Sequence, residues 1–330
     1  MKLSRRAALS LAAGAALPGF ASPPRDQGSI TLCAFSKHFQ WAGFEELASV
    51  CASLGYEAID LTVRPGGHVE PERVEQDLPR AVEIIQKAGL TVPMVTTGIV
   101  DVRSPHAQTI LKTLTGLGIR RYRWGGFRFA ETASLPDQIA EFRKRASDLA
   151  ALNKQYGACA MYHTHSGPDQ VGASMWDLYL ILKDLDTDSV SVNYCIGHAT
   201  VEGGHGGWIH SSRLLLPYAR GISVKDFRWK KNVKGEWEPG WCALGEGMVS
   251  FGRFLPMMKA ARFNGPVQIH MEYPELGGAE GGKRQISIPK DRVLSMMRRD
   301  LDRFKLMLRE AGLVTDPDSF RVANLPTRAR

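Results

Sequence analysis

Four pairs of polar residues, each two positions apart, close successive apolar runs in the second half of the chain. They are His163 and His165, Asn193 and Cys195, Ser223 and Lys225, and His270 and Glu272. In an extended strand a spacing of two places both side chains on one face. If the four runs are neighbouring strands, imidazoles, a thiol, an amine and a carboxylate converge. Those groups can move protons near neutral pH, and several of them ligate metals. A single such pair is adequately explained as a satisfied structural histidine or lysine; four consecutive runs ending this way are harder to dismiss.

These residues need a scaffold that brings strand ends together. Apolar or β-branched runs fall at Ile30–Phe35, Ala58–Val63, Thr91–Thr96, Arg120–Trp124, Ala158–His163, Ser191–Cys195, Gly221–Lys225 and Val267–Glu272. Amphipathic stretches separate them, among them Trp41–Leu54, Glu75–Ala88 and Asp137–Tyr156, each followed by a glycine suited to a left-handed helix cap. Repeated strand, helix and glycine is the rhythm of a parallel sheet. Eight repeats predict an α/β chain folded as a single (β/α)8 TIM barrel, with chemistry at the carboxyl ends of the strands. No GxGxxG follows the first strand, so no nucleotide cofactor is expected.

Four segments and one further residue carry a resemblance to a known family. Tyr162-His163-Thr164-His165 resembles a fifth-strand Tyr-His-Asn-His variant. Val192 to His198, with Cys195 three residues before His198, resembles a sixth-strand pattern of Asp followed three residues later by His. Val224-Lys225-Asp226 resembles the end of a seventh-strand His-x-Lys-Asp, and Leu244 to Val249 the loop after it; Glu272 falls where an eighth-strand glutamate is found. Together they resemble the xylose isomerase-like superfamily of sugar phosphate isomerases and epimerases, over roughly residues 30–312 and most strongly after Ala158. The resemblance implies a divalent metal held by carboxylate, Asp, His and carboxylate on strands five to eight, beside groups that shift a proton next to a sugar carbonyl. This chain departs from that set: His163, Cys195 and Ser223 stand at the first three positions, and only Glu272 matches.

The donors that remain are mixed. His163, Cys195 and Glu272 offer a nitrogen, a thiolate and a carboxylate, with His198 or His165 close in sequence as a fourth, a set better suited to zinc than to magnesium. A zinc or manganese site is expected around His163, His198 and Glu272, with Cys195 at its margin. Glu272 is expected as base or metal ligand, and His165 or Lys225 as the complementary acid. Lys225 could equally be the charge partner of Glu272, and Asp226, facing the other way, a loop cap. Trp124, Arg123, Trp208 and His270 are the expected substrate-binding residues, and the glycine-rich Glu202–Trp208 segment a ligand loop or lid.

Composition agrees with an ordinary soluble globular protein: 330 residues, 44% hydrophobic and 23% charged. The formal charge of +8 is dispersed and no reading module accompanies it, so no nucleic-acid partner is expected. Residues 1–21 read as a signal peptide of the twin-arginine type, with Arg5-Arg6 ahead of an Ala/Leu run. That run is roughly 15 residues, short of the ~20 needed to span a membrane, so no membrane association is expected of the mature form. The barrel is expected over 28–312, a C-terminal extension over 313–330, and a periplasmic location. Five scattered cysteines with no CxxC argue against a disulfide framework and leave room for a single bond. The expected function is proton transfer beside the carbonyl of a carbohydrate: isomerisation, epimerisation or β-elimination of an oxidised glycoside. The alternatives are a barrel that binds a sugar or partner without turnover, and a metal-dependent phosphodiesterase or endonuclease. The oligomeric state is left open.

Overall fold

Eight strands pair in parallel and close on themselves in a computed structural model that describes residues 30–314. In chain order the elements are β1 (Ile30–Phe35), α1 (Phe44–Leu54), β2 (Ala58–Val63), α2 (Val74–Lys87), β3 (Thr91–Thr97), α3 (Ala107–Gly116), β4 (Arg121–Trp124) and α4 (Leu135–Tyr156). Then come β5 (Cys159–His163), α5 (Trp176–Leu182), β6 (Val190–Cys195), α6 (Ile196–Gly203), α7 (Gly207–Leu215) and β7 (Ala219–Val224). The chain continues through β8 (Asp226–Lys231), β9 (Trp237–Cys242), α8 (Phe251–Ala260), β10 (Gly265–Ile269) and α9 (Lys290–Glu310). The barrel order is β1-β10-β7-β6-β5-β4-β3-β2, the predicted (β/α)8 architecture. The signal segment and residues 315–330 of the C-terminal extension lie outside the described residues.

Two kinds of side chain make the barrel. Outward-facing strand residues meet apolar stripes on the helices: on α9, Val293, Met297, Leu301, Phe304 and Leu308 recur at helical spacing and are all buried. Each such burial contributes about 1.5–3 kcal/mol. Inside the barrel lies a separate small apolar cluster, Met94, Cys159 and Met161, and beside it a closed polar network. Asn193 Nδ2 donates to Gln268 Oε1 at 2.8 Å; Ser223 Oγ donates to Asn193 Oδ1 at 3.0 Å and lies 2.5 Å from Gln268 Oε1. These residues form the floor of the site.

Three features differ from expectation. The first helix begins at Phe44 rather than Trp41, because Ser36–Phe39 form a 3-10 turn and Gly43 is extended. β7 ends at Val224 and β10 at Ile269, so Lys225, His270 and Glu272 sit just beyond the ladder, although the His270 amide still donates to the Val224 carbonyl at 2.9 Å. An antiparallel hairpin, β8–β9, rises after β7 where no strand was expected. Its turn is visible in the sequence as Asn232 to Gly235: Asn232 Oδ1 accepts from the Lys234 and Glu236 amides, and Gly235 has φ +81°. All five cysteines are free and buried. No helix among the described residues is long and apolar enough to cross a membrane.

Candidate active site

Above the Asn193–Ser223–Gln268 floor, the same strands deliver the next inward residues to the carboxyl mouth. β5 ends in His163, whose ring lies 5.9 Å from His165, 5.8 Å from His198 and 5.3 Å from His270 between centroids. His165 and His198 are closer still, at 4.1 Å. The loops are tied where they leave the barrel: the Cys195 amide donates to Thr164 Oγ1 at 2.8 Å. α6 begins directly after Cys195, which places His198 in its first turn. Ser166 Oγ and His198 Nδ1 share a 2.7 Å hydrogen bond, while His198 Nε2 is buried without a partner. His163 Nδ1 and both ring nitrogens of His270 are orphaned in the same way.

Lys225 is deeply buried at the mouth, at 2% exposure. It fits beneath α6 because residue 197 is glycine; a Cβ there would approach Lys225 Cγ to 2.7 Å. Its Nζ lies 2.5 Å from Glu272 Oε2 and 4.0 Å from the Trp241 ring centroid. The other carboxylate oxygen of Glu272 accepts from Lys37 Nζ at 3.0 Å. Glu272 is thus the charge partner of two lysines, one of the readings open from the sequence. Asp226 caps the following loop: its carboxylate accepts from the amides of Gly245, Gly247 and Val249 at 3.0 Å each.

Electrostatics follow from burial and from these charges. Burial works to raise the Glu272 pKa, but Lys225 and Lys37 outweigh it and hold the carboxyl well below its usual range. Burial, reinforced by nearby cations, pushes His163 and His198 well below the usual histidine value; it does the same to His270 although Glu272 opposes it, and it lowers His165 as well. These imidazoles are neutral at pH 7. Cys195 is raised by burial against the pull of Lys225, which keeps it a thiol. His38, lowered to about 3 mainly by burial, anchors the Glu272 segment: its Nδ1 donates to the Ala279 carbonyl at 3.3 Å and its Nε2 accepts the Met271 amide at 3.1 Å.

One ligand atom from each of His163, Cys195 and His198 lies within 4.8 Å of the others, the group that could hold a cation among the described residues. Nitrogen and sulfur donors suit a soft divalent ion such as zinc, and the orphaned nitrogens of His163 and His198 fit that role. Glu272 lies outside this group.

The structure therefore brings together His163, His165, Cys195, His198, Lys225, His270 and Glu272. Arg123 joins them from β4, 5.8 Å from the centroid of Phe35, on which His270 stacks at 4.6 Å. Two expected ligand walls are elsewhere. Trp124, next to inward-facing Arg123, faces outward by strand alternation and packs on Phe127 and Tyr162 at 1% exposure. Trp208 is buried against the end of α6, where residue 203 must be glycine because a Cβ would meet the Trp208 amide nitrogen at 2.2 Å. The aromatic face at the mouth is Trp241, on β9, 5.0 Å from the His198 ring. Sequence reasoning missed it along with the hairpin. Lys37 and His38 were missed too, because a 3-10 turn after the first strand leaves no periodic signal.

Comparison with known proteins agrees with this architecture. A family model described as xylose isomerase-like TIM barrel matches residues 48–289. Among curated proteins, none matches the chain in sequence. A xylose isomerase-like TIM barrel protein from Mycobacterium smegmatis, solved in complex with magnesium, is 14% identical with TM-score 0.61, covering 85% of this chain and 97% of its own. A D-allulose 3-epimerase from Methylomonas sp., in complex with D-allulose, is 14% identical with TM-score 0.60, covering 85% and 98%. A probable 3-DHS dehydratase of petrobactin synthesis from Bacillus anthracis is 13% identical with TM-score 0.61, covering 83% and 98%. With closed eightfold barrel and matching family model together, the chain belongs to the xylose isomerase-like TIM barrel family.

Proposed function

We propose that this chain is an enzyme that moves a proton beside the carbonyl of a sugar or sugar derivative, in isomerisation, epimerisation or β-elimination. The observation that carries the reading is the set of neutral histidines at the barrel mouth beside a buried lysine. His165 Nδ1 lies 3.1 Å from the Ser166 carbonyl, which fixes Nδ1–H as donor and leaves Nε2 with a lone pair. Neutral at pH 7, His165 takes the proton at Nε2 and returns it to the neighbouring carbon or the leaving oxygen. Lys225 supplies positive charge to the developing oxyanion. Glu272, held ionised between two ammonium groups, is a poor base and serves to position Lys225. A zinc ion held by His163, Cys195 and His198 would supply Lewis-acid polarisation of the substrate oxygen.

The test is solvent exchange. With the protein as purified in D2O and a panel of ketoses, aldoses and oxidised glycosides, deuterium should enter the carbon beside the carbonyl, and His165→Gln should abolish entry. Sugar binding without exchange for any substrate would establish instead a barrel that binds without turnover. Elemental analysis of protein prepared without chelator checks the metal: zinc should be present and absent from His198→Ala. We further propose export of the mature chain. The full chain should fractionate to the periplasm, and replacing Arg5 and Arg6 with lysine should retain it in the cytoplasm.

A further inference from the structure

Two arginines at the mouth make no ion pair among the described residues. Arg64 lies one residue beyond β2 and Arg123 lies on β4, both partly buried. Neither guanidinium takes part in an ion pair or side-chain hydrogen bond among the described residues, although the surface arginines Arg73, Arg128 and Arg143 all do. Burial lowers the pKa of each below the usual arginine value, and the charge of Arg64 lowers Arg123 further. The carboxylates that feel them form no ion pair with them: Asp60 takes one bifurcated hydrogen bond from Thr96 Oγ1, and Glu272 is held by Lys37 and Lys225. Burial also raises Asp60 to about 7, which reduces its negative charge at neutral pH. Lys37, Arg64, Arg123 and Lys225 thus leave the mouth with more positive than negative charge. An uncompensated buried charge is costly, and an anionic ligand group would remove that cost.

Resting on the sugar chemistry proposed above, we propose that Arg64 and Arg123 form a carboxylate-binding subsite, so that the ligand is a sugar acid, a uronate or aldonate, rather than a neutral sugar. With only β3 between them, the strands that carry them are roughly 10 Å apart, a span two inward guanidiniums close around a planar carboxylate. A phosphate site commonly adds the amides of a helix N-terminus. Here the helices after β2 and β4 do not begin until Val74 and Leu135.

Titration calorimetry of the whole protein with D-glucuronate, D-glucose, D-glucose 6-phosphate and malonate tests this. Glucuronate should bind on the order of ten- to a hundred-fold tighter than glucose. Arg64→Gln and Arg123→Gln should each erase the preference while glucose affinity holds and the melting temperature of the free protein stays level or rises. Equal affinity for glucuronate and glucose overturns the subsite and leaves the sugar reading intact, as does a preference that survives both substitutions. Glucose 6-phosphate bound tighter than glucuronate overturns the carboxylate assignment. Malonate matching glucuronate supports the subsite and overturns the sugar reading.

Discussion

The floor and the mouth of the barrel are built from the same strands, two residues apart, and they treat polarity in opposite ways. Asn193, Ser223 and Gln268 satisfy one another in a closed network. Cys195, Lys225 and His270, the next inward positions, stand among ring nitrogens with no partner at all. A buried polar group without a hydrogen bond costs free energy, so the floor is what a structural network looks like and the mouth is what an incomplete one looks like. The difference teaches where to seek the ligand: at the layer the protein has left unsatisfied.

The largest expected effect tests the mouth directly. His165→Gln should reduce turnover by about 10²–10⁴-fold, the usual share of a general base, with unfolding stability within about 0.5 kcal/mol of the parent. Steady-state kinetics beside denaturant titration measures both. A fall in stability matching the fall in activity would make His165 structural and remove the contrast.

Acid sensitivity should belong to the mouth, since no residue of the floor network titrates. His38, at about 3, and His68, at about 4, are held neutral chiefly by burial, and His163, His165, His198 and His270 are lowered too. Below the ordinary histidine value of about 6.5 the unfolded chain binds protons that the folded chain refuses, so their contribution is full above that pH and lost as pH falls. The expected slope is about 1.4 kcal/mol per pH unit for each histidine still neutral. Glu272, depressed, acts in the same direction below about 4; Asp60, raised to about 7, opposes both. Melting temperature should therefore drop steeply between pH 6.5 and about 4, and a flat profile would contradict the burial of these imidazoles.

Smaller, and confined to stability, is the cost of opening the floor. Gln268→Leu strands the Asn193 amide and should cost about 1–3 kcal/mol, read from the denaturant midpoint. The smallest effect is the most informative contrast. His270→Phe keeps the stack on Phe35 and removes two nitrogens that have no partners, so stability should change by less than about 1 kcal/mol or rise slightly. If Gln268→Leu proves milder than His270→Phe, the distinction between the two layers fails.

The barrel was legible because periodicity is local: alternating runs, amphipathic stretches and glycines beyond Leu54 and Tyr156, where Gly55 and Gly157 adopt φ of +83° and +68°. The i, i+2 pairs were legible for the same reason. Trp124 was misplaced although the signal was present, since alternation that turns Arg123 inward must turn Trp124 outward. Trp241 and Lys37 were not legible, because their proximity to Lys225 and Glu272 comes from a hairpin folding back over the mouth and from β1 closing against β10.

By itself, then, the sequence determined the eight repeats and which face of each strand carries polar groups, because both follow from dihedral geometry within a few residues. Only the tertiary structure decided which of those groups satisfy one another. Closure of the barrel sets Lys37, from the first strand's end, and Lys225, from the seventh's, on the two oxygens of Glu272, and leaves one ring nitrogen of His163, one of His198 and both of His270 without partners. Hydrogen bonds and charge pairs are made across long stretches of chain, and no local pattern records their distances.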